Sequence, residues 1–333
     1  MYTDEDLNNA VKQGVFSEEA VAAFRSSHMS LQNSPAVDEE NFRLVSGFND
    51  IFVVIACVLL LVSSVWLLGE VYIGLDMGVC AVLSWVLAEF FVLRRNMALP
   101  AIILLVAFVG SVFALFIVPI ESPTQFNFVL ASTFAAAAAY GHWLRFKVPI
   151  TVAVGTAAGA GIVVSMVLAI SPGALAWLEA VVFMCGLITF GLAMYWDSAD
   201  LTRVTRKADV AFWLHLLSAP LIIHPVFVSL GILDGNESLW SMAVVVALYV
   251  LMSSISIVID RRAFMVSSLV YVLYALSSLL ENLGGVGTSL AVTGVFMGSA
   301  LLLLSAFWQH IRARLVVSLP SAITQKIPAV KVV

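Results

Sequence analysis

Among the ionisable side chains inside otherwise apolar runs, Asp76, Glu89, Glu179, His215 and His224 stand out. Charge is costly in hydrocarbon, so each is a candidate functional group. On helices rising about 1.5 Å per residue, Asp76 and Glu179 fall roughly 8–9 Å from their span midpoints towards the outer side, and His224 about 6 Å. Glu89 and His215 fall towards the inner side. A carboxylate facing an imidazole at shared depth can relay a proton or hold a small cation, which makes His224, Glu179, Asp76 and His215 the candidate binding residues. A plainer reading stands beside this one. Glu179 and Asp76 lie near their outer helix ends and can reach water, and Glu89, close to Arg94, reads as an interfacial carboxylate.

The most unusual stretch is Phe212–Pro225, which carries Pro220 and Pro225 well inside an apolar run. Each proline removes a donor and crowds the carbonyl four residues back, freeing those of Leu216 and Leu221. In a membrane such carbonyls persist only where neighbours or cavity water satisfy them. Pro220 and Pro225 are therefore candidate hinge residues in a site-lining helix, or the marks of a kinked packing helix. His215 and His224 fall on opposite faces of an ideal helix, so they do not share a metal.

These residues need a membrane around them. Of 333 residues, 62% are hydrophobic and 11% charged, and the mean hydropathy is +1.04. Soluble domains average roughly 45–50% apolar and about 25% charged. There is too little charge to solvate a globular surface, and 16 Lys+Arg against 21 Asp+Glu leave no basic excess for phosphates. A soluble enzyme, a disordered chain and a nucleic-acid-binding module are excluded together. Cys57, Cys80 and Cys185 sit in apolar runs and imply no disulfide framework.

A spanning helix needs about 20 apolar residues. Ten stretches qualify: 51–68, 71–93, 98–118, 125–143, 148–170, 174–195, 209–230, 239–259, 263–283 and 288–309. They are continuously apolar rather than alternating, so they read as helices and not barrel strands. Every Lys and Arg falls before the first span or after an even-numbered one, from Arg94 and Arg95 to Arg312 and Arg314. The opposite loops carry Glu70, Glu121, Asp234, Glu237 and Glu281. Bases collect on the cytoplasmic side, so both termini are expected there. The fold class is an all-α bundle of about ten transmembrane helices over 47–311. A cytoplasmic segment covers 1–46 and a cytoplasmic tail 312–333. Every tryptophan but Trp85 falls near a predicted interface. Gly155 and Gly159 are spaced for close helix contact.

In the first segment, Thr3 with Asp4–Asp6 reads as a helix start and Gly14 as its stop. Ser17-Glu18-Glu19 restarts a second short helix, and Leu7, Val11, Val15 and Phe16 can close on Val21 and Phe24 as a small hairpin. Met29–Asn41 reads as a linker. With an acidic lead and the first apolar run near residue 51, no cleavable signal peptide is expected. The run Asp6–Ala20 resembles the cytoplasmic preamble of uncharacterised bacterial multi-pass inner-membrane proteins, which carry a short helix, a glycine and a Ser-Glu-Glu-type restart before their spans. The resemblance implies a bacterial inner-membrane setting and no particular activity. In helix count alone, ten spans with both ends inside is similar to the drug/metabolite transporter superfamily, whose inverted repeats place a substrate site near the midplane. No internal duplication is visible here.

No Walker-type loop, His-Glu-x-x-His, Gly-x-Ser-x-Gly or Cys-x-x-Cys occurs, so no catalytic residue, metal, cofactor or enzymatic activity is expected. The leading expectation is transporter-like handling of a small solute or ion, with spans two, six and seven lining the path. Its partner is then the lipid bilayer, with no nucleic acid. The competing class is a non-transporting scaffold or sensor whose acidic N-terminus recruits a cytoplasmic protein.

Overall fold

The computed structural model describes residues 10–21, 23–24, 48–69, 74–203, 205–231, 239–282 and 289–330. The chain divides into two compact units, Met1–Asn41 and Phe42–Val332. In the first, a helical turn ends at Gly14, whose φ of 71° is the left-handed backbone glycine allows. The Gly14 N–H donates to the Val11 carbonyl, and the Val15 N–H to that of Ala10. Ser17 Oγ accepts the Ala20 N–H at 3.1 Å and starts the next turn. Val21 is buried there, while Val15, Phe16 and Phe24 are exposed. Thr3–Asp6, Leu7 and the expected linker lie outside the described residues.

In the second unit the helices are α1 (Phe48–Gly69), α2 (Leu75–Phe91), α3 (Ala98–Ala114), α4 (Gln125–Phe146), α5 (Ile150–Ile170), α6 (Leu178–Ser198), α7 (Arg206–Ser229), α8 (Leu239–Ile259), α9 (Arg262–Asn282), α10 (Ser289–Val317) and the short α11 (Ser321–Thr324). A 3₁₀ turn, Pro172–Trp177, leads into α6. Among the described residues, α1, α5, α6 with its leading turn, α7 and α10 are each long and apolar enough to cross a membrane. Large apolar side chains face outwards on many helices: Trp66, Ile170, Trp240, Phe296 and Leu302 are each more than two-thirds exposed. Such a surface belongs against hydrocarbon. This is an all-α, multi-pass membrane architecture.

Burial singles out α7. Over its most apolar window 56% of residues are buried, against 11% for α1, α5 and α10. It packs against α5, α6 and α9, and its contact with α6 is the most extensive helix pairing among the described residues. Gly186 explains how α6 comes so close. A Cβ there would lie 2.8 Å from the carbonyl carbon of Leu221 and 2.9 Å from the Ile222 nitrogen, so only glycine fits. α7 continues through both Pro220 and Pro225.

The α4–α5 pair uses the same device. Gly161 leaves only 2.8 Å to Ser132 Oγ, and Gly155 sits in ordinary contact with Ala139. Gly159, the other expected close-contact position, faces open space. Trp85 of α2 packs edge-on against Phe108 and Phe146, at 5.1 and 5.0 Å between ring centroids. The turns α2–α3, α4–α5, α6–α7 and α8–α9 each contain a non-glycine residue at positive φ: Asn96, Lys147, Arg203 and Asp260.

Candidate functional site

α6 ends at Asp197-Ser198, and Asp200 builds the turn that follows. Its Oδ2 accepts from the Thr205 N–H at 2.8 Å and the Thr205 hydroxyl at 2.6 Å, and its Oδ1 accepts from the Thr202 hydroxyl at 3.2 Å. Thr205 in turn caps α7 by accepting the Lys207 N–H. This braced turn holds Arg203 at φ 56°. Arg203 Nη1 donates to the Asp260 carbonyl at 2.7 Å and Nη2 to the Ile259 carbonyl at 2.8 Å. A cation therefore meets the exposed carbonyls at the C-terminus of α8. α8 closes with Asp260 at φ 59°, a conformation Asp tolerates, and the Arg261 N–H returns to the Ser256 carbonyl at 2.9 Å.

Two buried carboxylates organise the rest. Asp197 takes a two-pronged contact from Arg261, with Nη2 at 2.6 Å from Oδ1 and Nε at 3.2 Å from Oδ2. Arg261 Nη2 also donates to the Ala208 carbonyl at 3.1 Å. His215 Nε2 lies 3.5 Å from Asp197 Oδ2, and Arg203 Nη2 lies 3.8 Å from the same oxygen. Asp260 Oδ1 accepts the indole N–H of Trp308 at 2.7 Å. Its Oδ2 faces Arg312 Nη1 at 3.6 Å and Arg203 Nη1 at 3.9 Å. Arg312 reaches the returning tail, donating to the carbonyls of Pro328 (2.6 Å) and Ala329 (3.2 Å), and Ile327 is buried beside this return.

Side-chain exposure shows what kind of cluster this is: 2% for Arg261, 1% for Arg312 and 3% for Asp197. Ions taken out of water cost several kcal/mol each, and persist only when opposite charge and hydrogen bonds answer them. Here Arg203, Arg261 and Arg312 face Asp197 and Asp260, and the carbonyls of Ala208, Ile259, Asp260, Pro328 and Ala329 supply further negative charge. The network ties α6, α7, the α8–α9 turn, α10 and the tail at one end of the bundle. His215 is the imidazole of the network, where burial and the guanidiniums of Arg261 and Arg203 oppose a proton and Asp197 favours one. Its fully buried ring lies against Phe190 and Phe264 at centroid separations of 5.4 and 6.0 Å, so a proton gained there is answered by Asp197, which Arg261 already engages. An imidazole and a guanidinium competing for one carboxylate is a proton-sensitive arrangement.

Of the residues proposed from sequence, His215 alone joins this network. His224 is exposed on α7, its ring 6.0 Å from that of Tyr271 on α9. Glu179 is half-buried in the first turn of α6. Asp76 is buried, and its Oδ1 accepts the Gly74 N–H at 3.1 Å at the start of α2. Among the described residues no hydrogen bond or ion pair joins Glu179, His224 or Asp76 to one another. Glu89 pairs with Arg145 of α4 through two contacts of 2.8 Å. Asp234 and Glu237 lie outside the described residues.

In the sequence Arg203, Arg261 and Arg312 are only bases marking one side of the membrane, Trp308 is one interfacial tryptophan among several, and no motif marks Asp197 or Asp260. The available signal was the crowding of acids with bases at Asp197–Lys207 and Asp260–Arg262. No three metal-ligating side chains cluster among the described residues. No family model, curated protein or solved structure matches the chain. Fold and site together define a class: a polytopic all-α membrane protein with a buried charged network among its C-terminal helices.

Proposed function

We propose that this is a ten-span bacterial inner-membrane protein with both termini cytoplasmic, which moves a small solute or ion. The observation that carries the reading is the buried cluster in which His215 of α7 and Arg261 both face Asp197 of α6. Ionisable groups buried within spanning helices mark ion or proton pathways, and His215 lies well inside α7. α7 also carries two prolines inside the helix, Pro220 and Pro225, and α6 packs closely against it at Gly186. The confinement of bases to alternate loops and the preamble resemblance support the cytoplasmic termini and the bacterial setting. In this reading Glu179 and His224 line the outer part of the path and Asp197 with His215 its inner end.

The test uses the full chain in liposomes holding a pH-sensitive dye, with a potassium diffusion potential imposed and sodium present or absent. Wild-type vesicles should take up protons faster than empty ones, and Asp197→Asn and His215→Phe should abolish the excess at equal protein content. A scaffold or sensor reading rests on the separate N-terminal unit. It would be favoured if wild-type vesicles were no leakier than empty ones to protons, sodium or potassium while deletion of residues 2–28 removed the cellular phenotype. Reporter fusions after Arg95, Lys147, Lys207 and Arg262 should read as cytoplasmic, and fusions at 119–124 and 234–238 as periplasmic. An inverted fusion within that series overturns the topology.

A further inference from the structure

The cations at the network's end of the bundle mostly have partners. Arg145 pairs with Glu89, Arg95 lies 5.6 Å over the Phe90 ring and Arg262 lies 5.2 Å over Trp308. Lys147 and Arg206 are set apart by lining a common cleft. They come from separate turns, α4–α5 and the start of α7, and both line one cleft of about 190 Å³ whose third wall is the α2–α3 turn. No acidic side chain lines that cleft. Asp209, which interacts electrostatically with Arg206 from one turn further along α7, is outside the lining. Lys147 Nζ sits 5.4 Å over the Trp143 ring, a contact that uses none of its N–H donors.

The cleft is amphipathic. Its rim residues Asn96, Lys147 and Arg206 are exposed, while Met97, Ala101 and Phe146 form a buried floor. α3 and α5 both begin at this cleft without a side-chain cap. The volume is below the roughly 300–1,000 Å³ of drug-sized sites, which limits an occupant to one headgroup-sized unit. Two cations at the rim over an apolar floor match an anion that carries an apolar substituent.

We propose that this cleft binds a phosphate ester, its phosphate at the Lys147–Arg206 rim and its substituent against the apolar floor. An anionic phospholipid and a soluble phosphate ester share this chemistry, and the site is independent of any transport activity. The test measures the melting temperature of the detergent-solubilised full chain titrated with dihexanoyl phosphatidylglycerol, glycerol phosphate, inorganic phosphate or dihexanoyl phosphatidylcholine. Phosphatidylglycerol should raise the melting temperature where phosphatidylcholine does not. Lys147→Asn with Arg206→Gln should weaken the response by roughly tenfold or more, since each base near an anionic surface contributes substantially. Asparagine suits the left-handed φ of 54° at position 147. Arg94→Gln with Arg95→Gln removes equal charge outside the cleft and should leave the response unchanged. A response to glycerol phosphate, lost in the cleft variant, assigns a soluble ester, and a response to phosphatidylglycerol alone assigns a lipid. The proposal is overturned if no phosphate probe shifts the melting temperature, if the cleft variant responds like wild type, or if the Arg94/Arg95 variant loses as much.

Discussion

His142 on α4 and His215 on α7 are both fully buried, yet their surroundings have little in common. His142 Nδ1 lies 3.3 Å from the Thr151 hydroxyl, its Nε2 has no hydrogen-bond partner among the described residues, and the rings of Trp85, Phe108 and Phe146 stand 6.0, 6.1 and 4.4 Å away. His215 faces Asp197, with Arg261 on the same carboxylate. Both rings sit beside aromatic neighbours, so burial and packing do not separate them. What separates them is a carboxylate able to answer a positive charge. Helices α1–α5 bury an apolar core around Leu104, Leu105 and Ala139 and two carboxylates, Asp50 and Asp76, whereas α6–α10 and their turns bury carboxylates together with arginines. A buried histidine becomes a functional candidate through its neighbours' charge.

The hardest test of that contrast is Arg261→Met. It leaves Asp197 buried without its main partner and should cost about 3–5 kcal/mol, read as thermal melting of the purified protein. The double variant Asp197→Leu, Arg261→Met removes both charges and should recover much of the loss. Equal losses in single and double variants would mean that the pair acts through packing alone. Gly186→Val comes next, at about 1–3 kcal/mol, because it pushes α6 off the α7 backbone that carries His215. Gly191→Val on the same helix meets open space and should melt near wild type.

The two histidines can then be compared directly. His142→Phe should change stability by less than about 1.5 kcal/mol, as expected where one ring replaces another among aromatic neighbours, and should leave proton flux unaltered. His215→Phe should instead abolish the proton flux at similar protein levels. An altered flux profile in His142→Phe would erase the distinction between the two halves. Glu179→Gln and His224→Phe should each reduce flux if the outer path is as proposed, and normal flux in both would remove them from it. The smallest shift is expected for Glu89→Gln, whose partner Arg145 is more than half exposed.

Most of the architecture could be read along the chain because its causes are local. Twenty apolar residues in a row need only a bilayer to become a spanning helix, and Gly14 and Ser17 specify their turn within a few residues. Asp200 and Thr205 are as local as Ser17, but nothing in the chain shows that their turn would be braced to aim Arg203 inwards. The polar residues behaved differently. Depth along a helix could be calculated for Glu179 and His224, but the azimuth that decides whether a side chain meets lipid or a neighbour depends on which helices pack together.

The sequence by itself determined that the chain is an apolar, multi-helix membrane protein with its bases on alternate turns, since hydrophobicity and charge act residue by residue. Only the tertiary structure decided which of those charges are solvated and which are buried. Asp197 and Arg261 are 64 residues apart, and Arg203 and Asp260 are 57 apart. A base in a short turn looks the same in sequence whether its guanidinium points to water or inwards. It points inwards at Arg203, Arg261 and Arg312 because carboxylates and helix-end carbonyls from other elements wait there, at distances that compensate the loss of water.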